Sequence, residues 1–347
     1  MRDHGGNLDA ARGRYGEGDW IDLSTGINRV PYPLPAIPAA AWQALPDRAA
    51  MAGPIRGGRG APASGGAGVA GGGGAAGGAA TAGLIRAAQA AYATGAAVLP
   101  VAGAQAAIQM IPRAFPPVGL ARVLGPTYNE HAGTLRAAGW RVEEVGAISA
   151  LAGADLAVVV NPNNPDGSCH SPKALRRLAE QVGRLVVDES FADPVPELSL
   201  ASDPGRALVL RSFGKFYGLA GVRLGFVLGD EAAIAALATL AGPWPVSGPA
   251  IAIGCAALAD RDWAAASIAR LQDDARRLDG LAASADWRLV GGGHLFRPYD
   301  TPNAVAAQEL LARHHIWSRI FPWHPRWLRL GLPAPGEWAR IVAALRR

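Results

Sequence analysis

The sequence is poor in cysteine and in long apolar runs, and each shortage excludes a class of protein. Its two cysteines, Cys169 and Cys255, are far apart and form no metal-binding pattern, which excludes a disulfide framework and suits a reducing cytoplasm. We expect both thiols to be buried or half-buried. No strongly apolar run of about eighteen residues is free of charge, glycine and proline, so we predict no membrane partner. The first residues also lack the apolar core of a secretory signal.

Net charge is modest, at +5 over 347 residues. Such a charge can attract anionic small molecules, but nucleic-acid binding needs basic residues clustered among aromatic ones. The arginine doublets 176–177 and 276–277 are short and lie in helix-like stretches, where we expect them to face solvent. We therefore predict no nucleic-acid partner. The adjacent His314 and His315 would point to different faces of a helix, and we expect no metal site.

The scarcest charged residue is lysine. Of the 33 basic residues only Lys173 and Lys215 are lysine. Lys173 lies in SPKALRRLAE, which begins like a helix, so we expect it on an exposed first turn. Lys215 lies in RSFGKFYGLAGVRLG (211–225). A buried amine can lose its proton and form a Schiff base, which a guanidinium cannot do, so Lys215 is the candidate catalytic residue.

The order of elements predicts an α/β fold. Short β-rich runs such as DLAVVVNP and GRLVVDES alternate with helix-like stretches, which is typical of a mostly parallel sheet with helices on both faces. We divide the chain into an N-terminal arm (1–30), a large domain (31–241) and a smaller α+β domain (242–347). Residues 53–83 are low-complexity glycine and alanine, for which we expect a flexible loop.

Polar groups of several kinds follow the predicted strands. Ligands bind beyond the carboxyl ends of the strands in such sheets, so these side chains should meet at one edge. They are an amide, a carboxylate, a hydroxyl, an amine and a guanidinium, at Asn164, Asp188, Ser212, Lys215 and Arg223. Apolar residues precede Asp188, so we expect a partly buried carboxylate that needs a cationic or hydrogen-bonding partner.

Three motifs resemble the signature blocks of fold-type I pyridoxal-phosphate enzymes: NPNNPDG (161–167), VDESF (187–191) and SFGKFYGLAGVRLG (212–225). They are similar to the branch that contains histidinol-phosphate aminotransferase and threonine-phosphate decarboxylase. Four further segments resemble most closely the threonine-phosphate decarboxylases of cobalamin biosynthesis: HGG (4–6), DLSTGIN (22–28), GPWPVSG (242–248) and WLRLGLP (327–333). The resemblance covers nearly the whole chain except residues 53–83.

The resemblance implies that pyridoxal 5'-phosphate is the cofactor and that Lys215 binds it covalently. Asp188 would act with Lys215 in catalysis by pairing with the pyridinium nitrogen, which keeps the ring an electron sink. Asn164 would hydrogen-bond the phenolic oxygen, and Tyr128 would stack on the ring. The cofactor phosphate would be held by Ser212, Arg223 and the backbone N–H groups of Ala104 and Gln105. Taken singly, Asp188 could be a turn residue and Tyr128 a core residue; their joint spacing favours the functional interpretation.

The resemblance also implies where the substrate binds. Arg329 would receive its carboxylate through a bidentate fork. His4 is a candidate for the phosphate end of the substrate, although a mobile surface histidine is an equal alternative by residue type alone. Asn28, at the end of DLSTGIN, is a third candidate substrate contact.

Three positions depart from the pattern of many relatives. Phe191 replaces a tyrosine that bonds the phenolic oxygen of the cofactor. Leu45, in Leu-Pro-Asp, replaces a tyrosine that reaches the cofactor phosphate of the partner subunit. Gly214 replaces a hydroxyl residue and so removes a possible phosphate donor.

The resemblance implies a cytoplasmic homodimer that decarboxylates L-threonine O-3-phosphate, a small phosphorylated amino acid, to (R)-1-amino-2-propanol O-2-phosphate. An aminotransferase acting on histidinol phosphate or another amino acid would need the same cofactor residues and a 2-oxo acid, and the residues alone leave it open. A non-catalytic pyridoxal-phosphate protein is a third alternative. A regulator of that kind would carry a basic helix-turn-helix unit, which the sequence lacks, and a carrier would not need Arg329.

Overall fold

A computed structural model describes residues 5–46, 76–115 and 119–346. The N-terminal part contains α1 (Leu8–Tyr15), β1 (Ile21–Asp22) and α2 (Ala39–Gln43). The middle of the chain contains α3 (Ala76–Ala91), β2 (Ala97–Val101), α4 (Ala104–Ala114), β3 (Leu120–Leu124), α5 (Glu130–Ala137), β4 (Arg141–Val145), β5 (Leu156–Val160), α6 (Pro172–Ala179), β6 (Arg184–Asp188), β7 (Ala207–Ser212), α7 (Phe213–Phe216), β8 (Gly225–Gly229) and α8 (Glu231–Ala241). The C-terminal part contains α9 (Gly248–Ala259), α10 (Arg261–Ser284), β9 (Arg288–Leu289), β10 (Phe296–Asp300), α11 (Ala304–Ala312), β11 (Ile316–Trp317), β12 (Arg319–Phe321), β13 (His324–Gly331) and α12 (Trp338–Leu345).

The central sheet has seven strands in the order β2-β8-β7-β6-β5-β3-β4. β8 runs antiparallel to β2 and to β7, and the other neighbouring pairs are parallel. All five residues of β5 are buried, as expected of a strand covered on both faces. The prediction of a mostly parallel sheet with helices is therefore confirmed. Because β2, β3, β5, β6 and β7 point the same way, their carboxyl ends meet at one edge.

A smaller antiparallel sheet, in the order β12-β13-β10-β9, is formed by the C-terminal part. The long helix α10 is capped at its first turn by Asp260, whose carboxylate accepts from Trp263 N at 2.9 Å. Its buried residues recur every three or four positions, at Ser267, Leu271, Ala275, Leu278 and Ala282, which is the spacing of one helix face. One hydrophobic core joins residues of both sheets.

The N-terminal arm packs on the C-terminal part of the chain. β1 pairs in parallel with β11, and Gly331 N donates to Leu23 O at 2.7 Å. Arg29 forms an ion pair with Glu337. Residues 22–32, which we call the strap, therefore run from the small sheet toward the central sheet. The proposed domain boundaries remain a prediction.

Two expectations need correction. The predicted loop at 53–83 is wrong over its last eight residues, because α3 begins at Ala76; alanine favours helix, and α3 buries Leu84 and Ile85 in the core. Residues 53–75 lie outside the described residues. Cys169 is exposed and Cys255 is half-buried; Cys169 follows the turn at Gly167, which has a φ of +70°.

Two expectations about surface charge hold. Lys173 is exposed at the start of α6, and the arginine doublets 176–177 and 276–277 are exposed. Among the residues that the structure describes, no helix combines the length and the apolar character needed to span a bilayer.

Candidate active site

A cavity of about 190 Å³ lies at the carboxyl edge of the central sheet. Every residue that the sequence suggested for the cofactor lines it: Ala104, Gln105, Tyr128, Asn164, Asp188, Ser212, Lys215 and Arg223. They come from six separate stretches of the chain, which the parallel strand order brings to one place. The expected meeting of these side chains is therefore observed, and their individual roles remain proposals.

Lys215 lies in α7, the single helical turn that follows β7. Burial, followed by the positive charges of Arg329 and Arg223, lowers the pKa of its ammonium from 10.5 to about 8, although the nearby Asp188 acts to raise it. Its Nζ lies 5.6 Å from the centre of the Phe191 ring. With this pKa roughly a tenth of the amine is neutral at pH 7, far more than for an ordinary lysine, and nucleophilic attack requires the neutral form.

Asp188 is held as a carboxylate at the end of β6. Its Oδ1 accepts hydrogen bonds from Ser190 N at 3.0 Å and from Ser190 Oγ at 2.5 Å. Its Oδ2 lies 2.9 Å from His131 Nε2, and because a carboxylate can only accept, this nitrogen is the donor. Burial alone would raise the pKa of Asp188, but the hydrogen bonds and charge from His131, with those from Ser190, hold it below its ordinary value. Lone pairs remain on the carboxylate for a further donor in the cavity.

An anion-binding corner lies where α4 begins. Gly103 precedes α4 with a φ of +78°, and a Cβ there would lie 2.9 Å from Arg223 Nη2. A Cβ on Gly225 would lie 2.7 Å from Ala104 N. Both glycines therefore keep the helix start and the guanidinium close together. The first N–H groups of a helix have no intrahelical acceptor, so with Arg223 and Ser212 they suit a phosphate.

The position of Tyr128 is fixed by a chain of hydrogen bonds from its hydroxyl group. Its Oη donates to Gln105 Oε1 at 3.1 Å, and Gln105 Nε2 donates to Glu130 Oε2 at 3.1 Å. The Tyr128 ring also packs edge-on against His131, with 6.2 Å between ring centres. This anchoring presents a fixed aromatic ring to the cavity, as a stacking role needs.

Two arginines line a second cavity, of about 380 Å³, which shares Tyr128 and Asn164 with the first. Arg329 and Arg319 are directly paired residues of β13 and β12. Arg329 is only 6 % exposed, and its hydrogen bonds go to neutral oxygens, Asn164 Oδ1 and, at 2.7 Å, Ser24 O. Its Nε has no partner within the described residues. Burial, followed by the charge of Arg319, lowers the pKa of Arg329, so an anion in this cavity would relieve both effects.

The departures at Gly214 and Phe191 have local explanations. A Cβ on Gly214 would lie 2.7 Å from the Ala220 Cα, so no larger residue fits while the backbone stays as it is. Phe191 packs edge-on against Phe296, with ring centres 4.9 Å apart, and provides an apolar wall beside Lys215. Leu45 lies in the wall of a third cavity, which shares Ala220 with the first.

Two predicted substrate contacts, His4 and Asn28, have different outcomes. His4 lies outside the described residues, and its neighbour Gly5 lines the second cavity. Asn28 is buried and lines none of the cavities described above. Its Nδ2 donates to Phe216 O at 2.9 Å and its Oδ1 accepts from Arg270 at 2.7 Å. Its amide is therefore used inside the protein, which argues against a substrate contact.

Two functional candidates were missed by the sequence analysis. His131 stands three residues after Tyr128, and its position at the start of a helix after a strand was the available signal. Arg319 could be found from the stretch RIFPWHPRWLRL (319–330), in which two strand-like runs flank a turn. Within the part of the chain that the structure describes, no three His, Cys, Asp or Glu side chains cluster as a metal site.

Comparison with known proteins agrees with this architecture. The sequence pattern of the family "Aminotransferase class I and II" matches residues 19–347. A threonine-phosphate decarboxylase from Sinorhizobium sp is 40 % identical over 357 positions, covering 99 % of this chain and 97 % of that protein. A threonine-phosphate decarboxylase from Pseudomonas aeruginosa is 41 % identical with the same coverage.

Solved structures show the same fold. The crystal structure of histidinol-phosphate aminotransferase from Sinorhizobium meliloti in complex with pyridoxal-5'-phosphate has a TM-score of 0.67 and 21 % identity, over 76 % of this chain and 79 % of that one. The family pattern spans most of the chain, and both decarboxylases align over almost all of it. This chain belongs to the aminotransferase class I and II family.

Proposed function

We propose that this protein is a pyridoxal-phosphate-dependent lyase that decarboxylates L-threonine O-3-phosphate to (R)-1-amino-2-propanol O-2-phosphate and carbon dioxide. The observation that carries the proposal is the 40–41 % identity, over 99 % of the chain, with two threonine-phosphate decarboxylases. The cavities support it independently, because they combine a neutralisable amine with two separate anion-binding regions.

The first cavity fits pyridoxal phosphate. The start of α4, Ser212 and Arg223 would hold its phosphate, and Asp188 would accept a hydrogen bond from its ring nitrogen. Asn164 would hydrogen-bond the phenolic oxygen and Tyr128 would stack on the ring face, since both line the cavity. When bound, the cofactor supplies an electron sink for the carbanion left by a departing carboxyl group. The cavity thus has one group for each part of the cofactor.

The second cavity fits a substrate with two anionic groups. Arg329 is nearly buried and has neutral partners, so it would bind the carboxylate by two parallel hydrogen bonds. Arg319, its neighbour across the strands, would bind the phosphate of the same molecule. Two arginines against one carboxylate, Glu144, line this cavity, and this charge balance favours a phosphorylated amino acid over one with an uncharged side chain.

Lys215 would move the proton. As the carboxyl carbon leaves as carbon dioxide, the carbon that carried it must gain one proton to complete the reaction. The Lys215 Nζ lies in the same cavity as Asp188 and Arg223, and its lowered pKa lets it exchange protons near neutral pH. Phe191 covers this amine with an apolar ring and limits access of water.

The first test is turnover without a second substrate. The purified protein loaded with pyridoxal phosphate should release carbon dioxide from L-threonine O-3-phosphate when no 2-oxo acid is present, and the amine product can be identified by NMR. Lys215→Ala should lose the visible absorbance of the bound cofactor and at least about 10³-fold in kcat, with the far-UV circular dichroism unchanged. Lys173→Ala, at the other lysine, should match the parent.

The same experiment separates the alternative. An aminotransferase would release no carbon dioxide in this assay and would consume the amino group only when a 2-oxo acid is added. That result, with histidinol phosphate or another amino acid as donor, would overturn the lyase proposal and retain the cofactor site.

We further propose that the protein is a homodimer. Leu34, Trp42 and Leu45 are 63 %, 67 % and 67 % exposed, and all three line an apolar cavity of about 740 Å³. Its opposite wall is residues 218–222, directly after the Lys215 turn. Apolar surface of this kind commonly marks a protein contact. A role in cobalamin biosynthesis and a cytoplasmic location are also proposals, which follow from the sequence resemblance and the cysteine pattern.

A further inference from the structure

The helical turn that carries Lys215 is too short to provide hydrogen-bond partners for all of its own carbonyl groups. α7 has only four residues, and the N–H groups of Tyr217 and Gly218 that follow it both donate to Lys215 O, so the Phe216 and Tyr217 carbonyls have no helical partner. Gly218 follows it with a φ of +68°, which turns the chain sharply away. Hydrogen-bond donors for these carbonyls must therefore come from elsewhere in the chain.

The strap provides those partners. Asn28 N donates to Lys215 O at 2.9 Å, and Tyr32 N donates to Tyr217 O at 2.9 Å. Between them, the Asn28 side-chain Nδ2 donates to Phe216 O at 2.9 Å. Three successive carbonyls of the turn are thus held by one short segment. Close packing supports this, because a Cβ on Gly218 would lie 2.5 Å from Asn28 O.

The orientation of the Asn28 amide is set by α10. Arg270 Nη2 donates to Asn28 Oδ1 at 2.7 Å, and Val30 N donates to the same oxygen at 3.1 Å. With its oxygen fixed by two donors, the amide must direct its NH₂ group toward Phe216 O. Arg270 is itself held by Asp274, whose Oδ2 lies 2.9 Å from Arg270 Nη1.

We propose that Asn28 and Arg270 are positioning residues, which hold the Lys215 turn in register with the cavity without touching the substrate or the cofactor. The proposal rests on the proposed role of Lys215 as the residue that binds the cofactor. Small displacements of a reacting group reduce turnover strongly, so this contact should affect the reaction more than the affinity for the substrate.

The test compares Arg270→Met with the control Arg276→Met in the protein loaded with pyridoxal phosphate. Arg276 lies on the same helix, and its side chain is 75 % exposed in a pair with Asp273. Arg270→Met should lower kcat by about tenfold or more with a smaller change in KM. It should also move the pH midpoint of the bound cofactor's visible absorbance by about half a unit or more, because Lys215 loses its fixed surroundings.

Arg276→Met should match the parent, and Arg270→Lys, which retains a donor for Asn28, should recover part of the effect. The proposal is overturned if Arg270→Met leaves both the absorbance midpoint and kcat unchanged, or if Arg276→Met changes them equally. If Arg270→Met fails to fold, Asn28→Asp replaces it: the acid keeps an acceptor for Arg270 and loses the donor to Phe216 O, and parent-like behaviour then overturns the proposal.

The two proposals fail in different ways. A parent that releases no carbon dioxide from threonine phosphate would contradict the proposed reaction alone, because the absorbance midpoint can be measured without substrate. An Arg270→Met variant with an unchanged midpoint and an unchanged kcat, in a parent that does release carbon dioxide, would contradict the positioning role alone.

Discussion

At the scale of single residues, the site depends on one amine whose surroundings favour its neutral form. Burial and the positive charges of Arg329 and Arg223 depress the pKa of Lys215, and Asp188 compensates only in part. A guanidinium at position 215 would stay charged in the same surroundings. The scarcity of lysine in this sequence therefore indicated a position that requires a side chain able to lose its proton, which arginine is not.

This environment predicts the pH dependence of cofactor capture. Only the neutral amine attacks an aldehyde, so the rate at which the cofactor-free protein binds pyridoxal phosphate should rise with pH and level off above about 8. An ordinary lysine would continue to gain rate toward pH 10.5. The measurement is the growth of visible absorbance after mixing, from pH 6 to pH 10 in steps of about one unit.

Arg329→Met gives a directional check on this prediction. Removing that charge should raise the pKa of Lys215 and move the midpoint upward. Arg326→Met, on the same strand but exposed and paired with Asp300, should leave it in place. A midpoint near that of a free lysine in the parent would contradict the assigned environment.

At the scale of elements, the parallel strands determine where the site lies. Side-chain contacts between the ends of neighbouring strands then hold the site residues relative to one another. Glu189 comes directly after β6 and accepts from Arg211 of β7 at 2.9 Å. Arg211 also pairs with Asp193 at 2.5 Å, and both side chains of that pair are buried. This ion-pair network joins the two strand ends that carry Asp188 and Ser212.

The turn after β7 predicts a cost for restoring the residue found in many relatives. Gly214→Ser should introduce a Cβ 2.7 Å from Ala220 Cα, and overpacking of this kind lowers the free energy of unfolding by about 1–3 kcal/mol. We expect weaker binding of pyridoxal phosphate as well, despite the added hydroxyl, because the Lys215 turn must shift. Urea unfolding and cofactor titration measure the two effects.

Gly146 supplies the control. It follows β4, lines none of the three cavities, and a Cβ there has no atom within 4 Å. Gly146→Ser should therefore be close to the parent in both measurements. Tighter cofactor binding by Gly214→Ser would show that the missing hydroxyl matters more than the packing.

The sequence allowed the elements to be predicted better than their contacts. Strands with continuous apolar runs, such as β5, and the helix α10 follow from local periodicity, and so did the edge at which Asp188 and Lys215 meet. The start of α3 was missed because glycine-rich sequence carries little local signal until packing against the core is known. The contact between Asn28 and Arg270 depends on which distant segments are neighbours, and no local pattern specifies that.

At the scale of the whole molecule, we propose that the exposed apolar surface around Trp42 is the contact between the two subunits of the dimer. Trp42→Asp should convert the proposed dimer into a monomer, because a charge at the centre of an apolar contact must be desolvated. Sedimentation velocity at several protein concentrations measures the outcome.

Leu289→Asp is the control for that experiment. Leu289 is 40 % exposed on the small sheet, outside the apolar cavity, and its substitution should leave the dimer intact. A parent that sediments as a monomer, or a Trp42→Asp variant that remains a dimer, would contradict the assignment of this surface.

The strap also has a consequence for biosynthesis. Its partners include Lys215 near the middle of the chain and Trp317, Gly331 and Glu337 near the end. A ribosome releases the strap early, but the segments that anchor it emerge last, so contacts spanning some 308 positions must form after nearly all of the chain has been made. This site is therefore completed only after residues 317–337 have been made, and a product truncated between Lys215 and Trp317 would hold the lysine without the segments that position it.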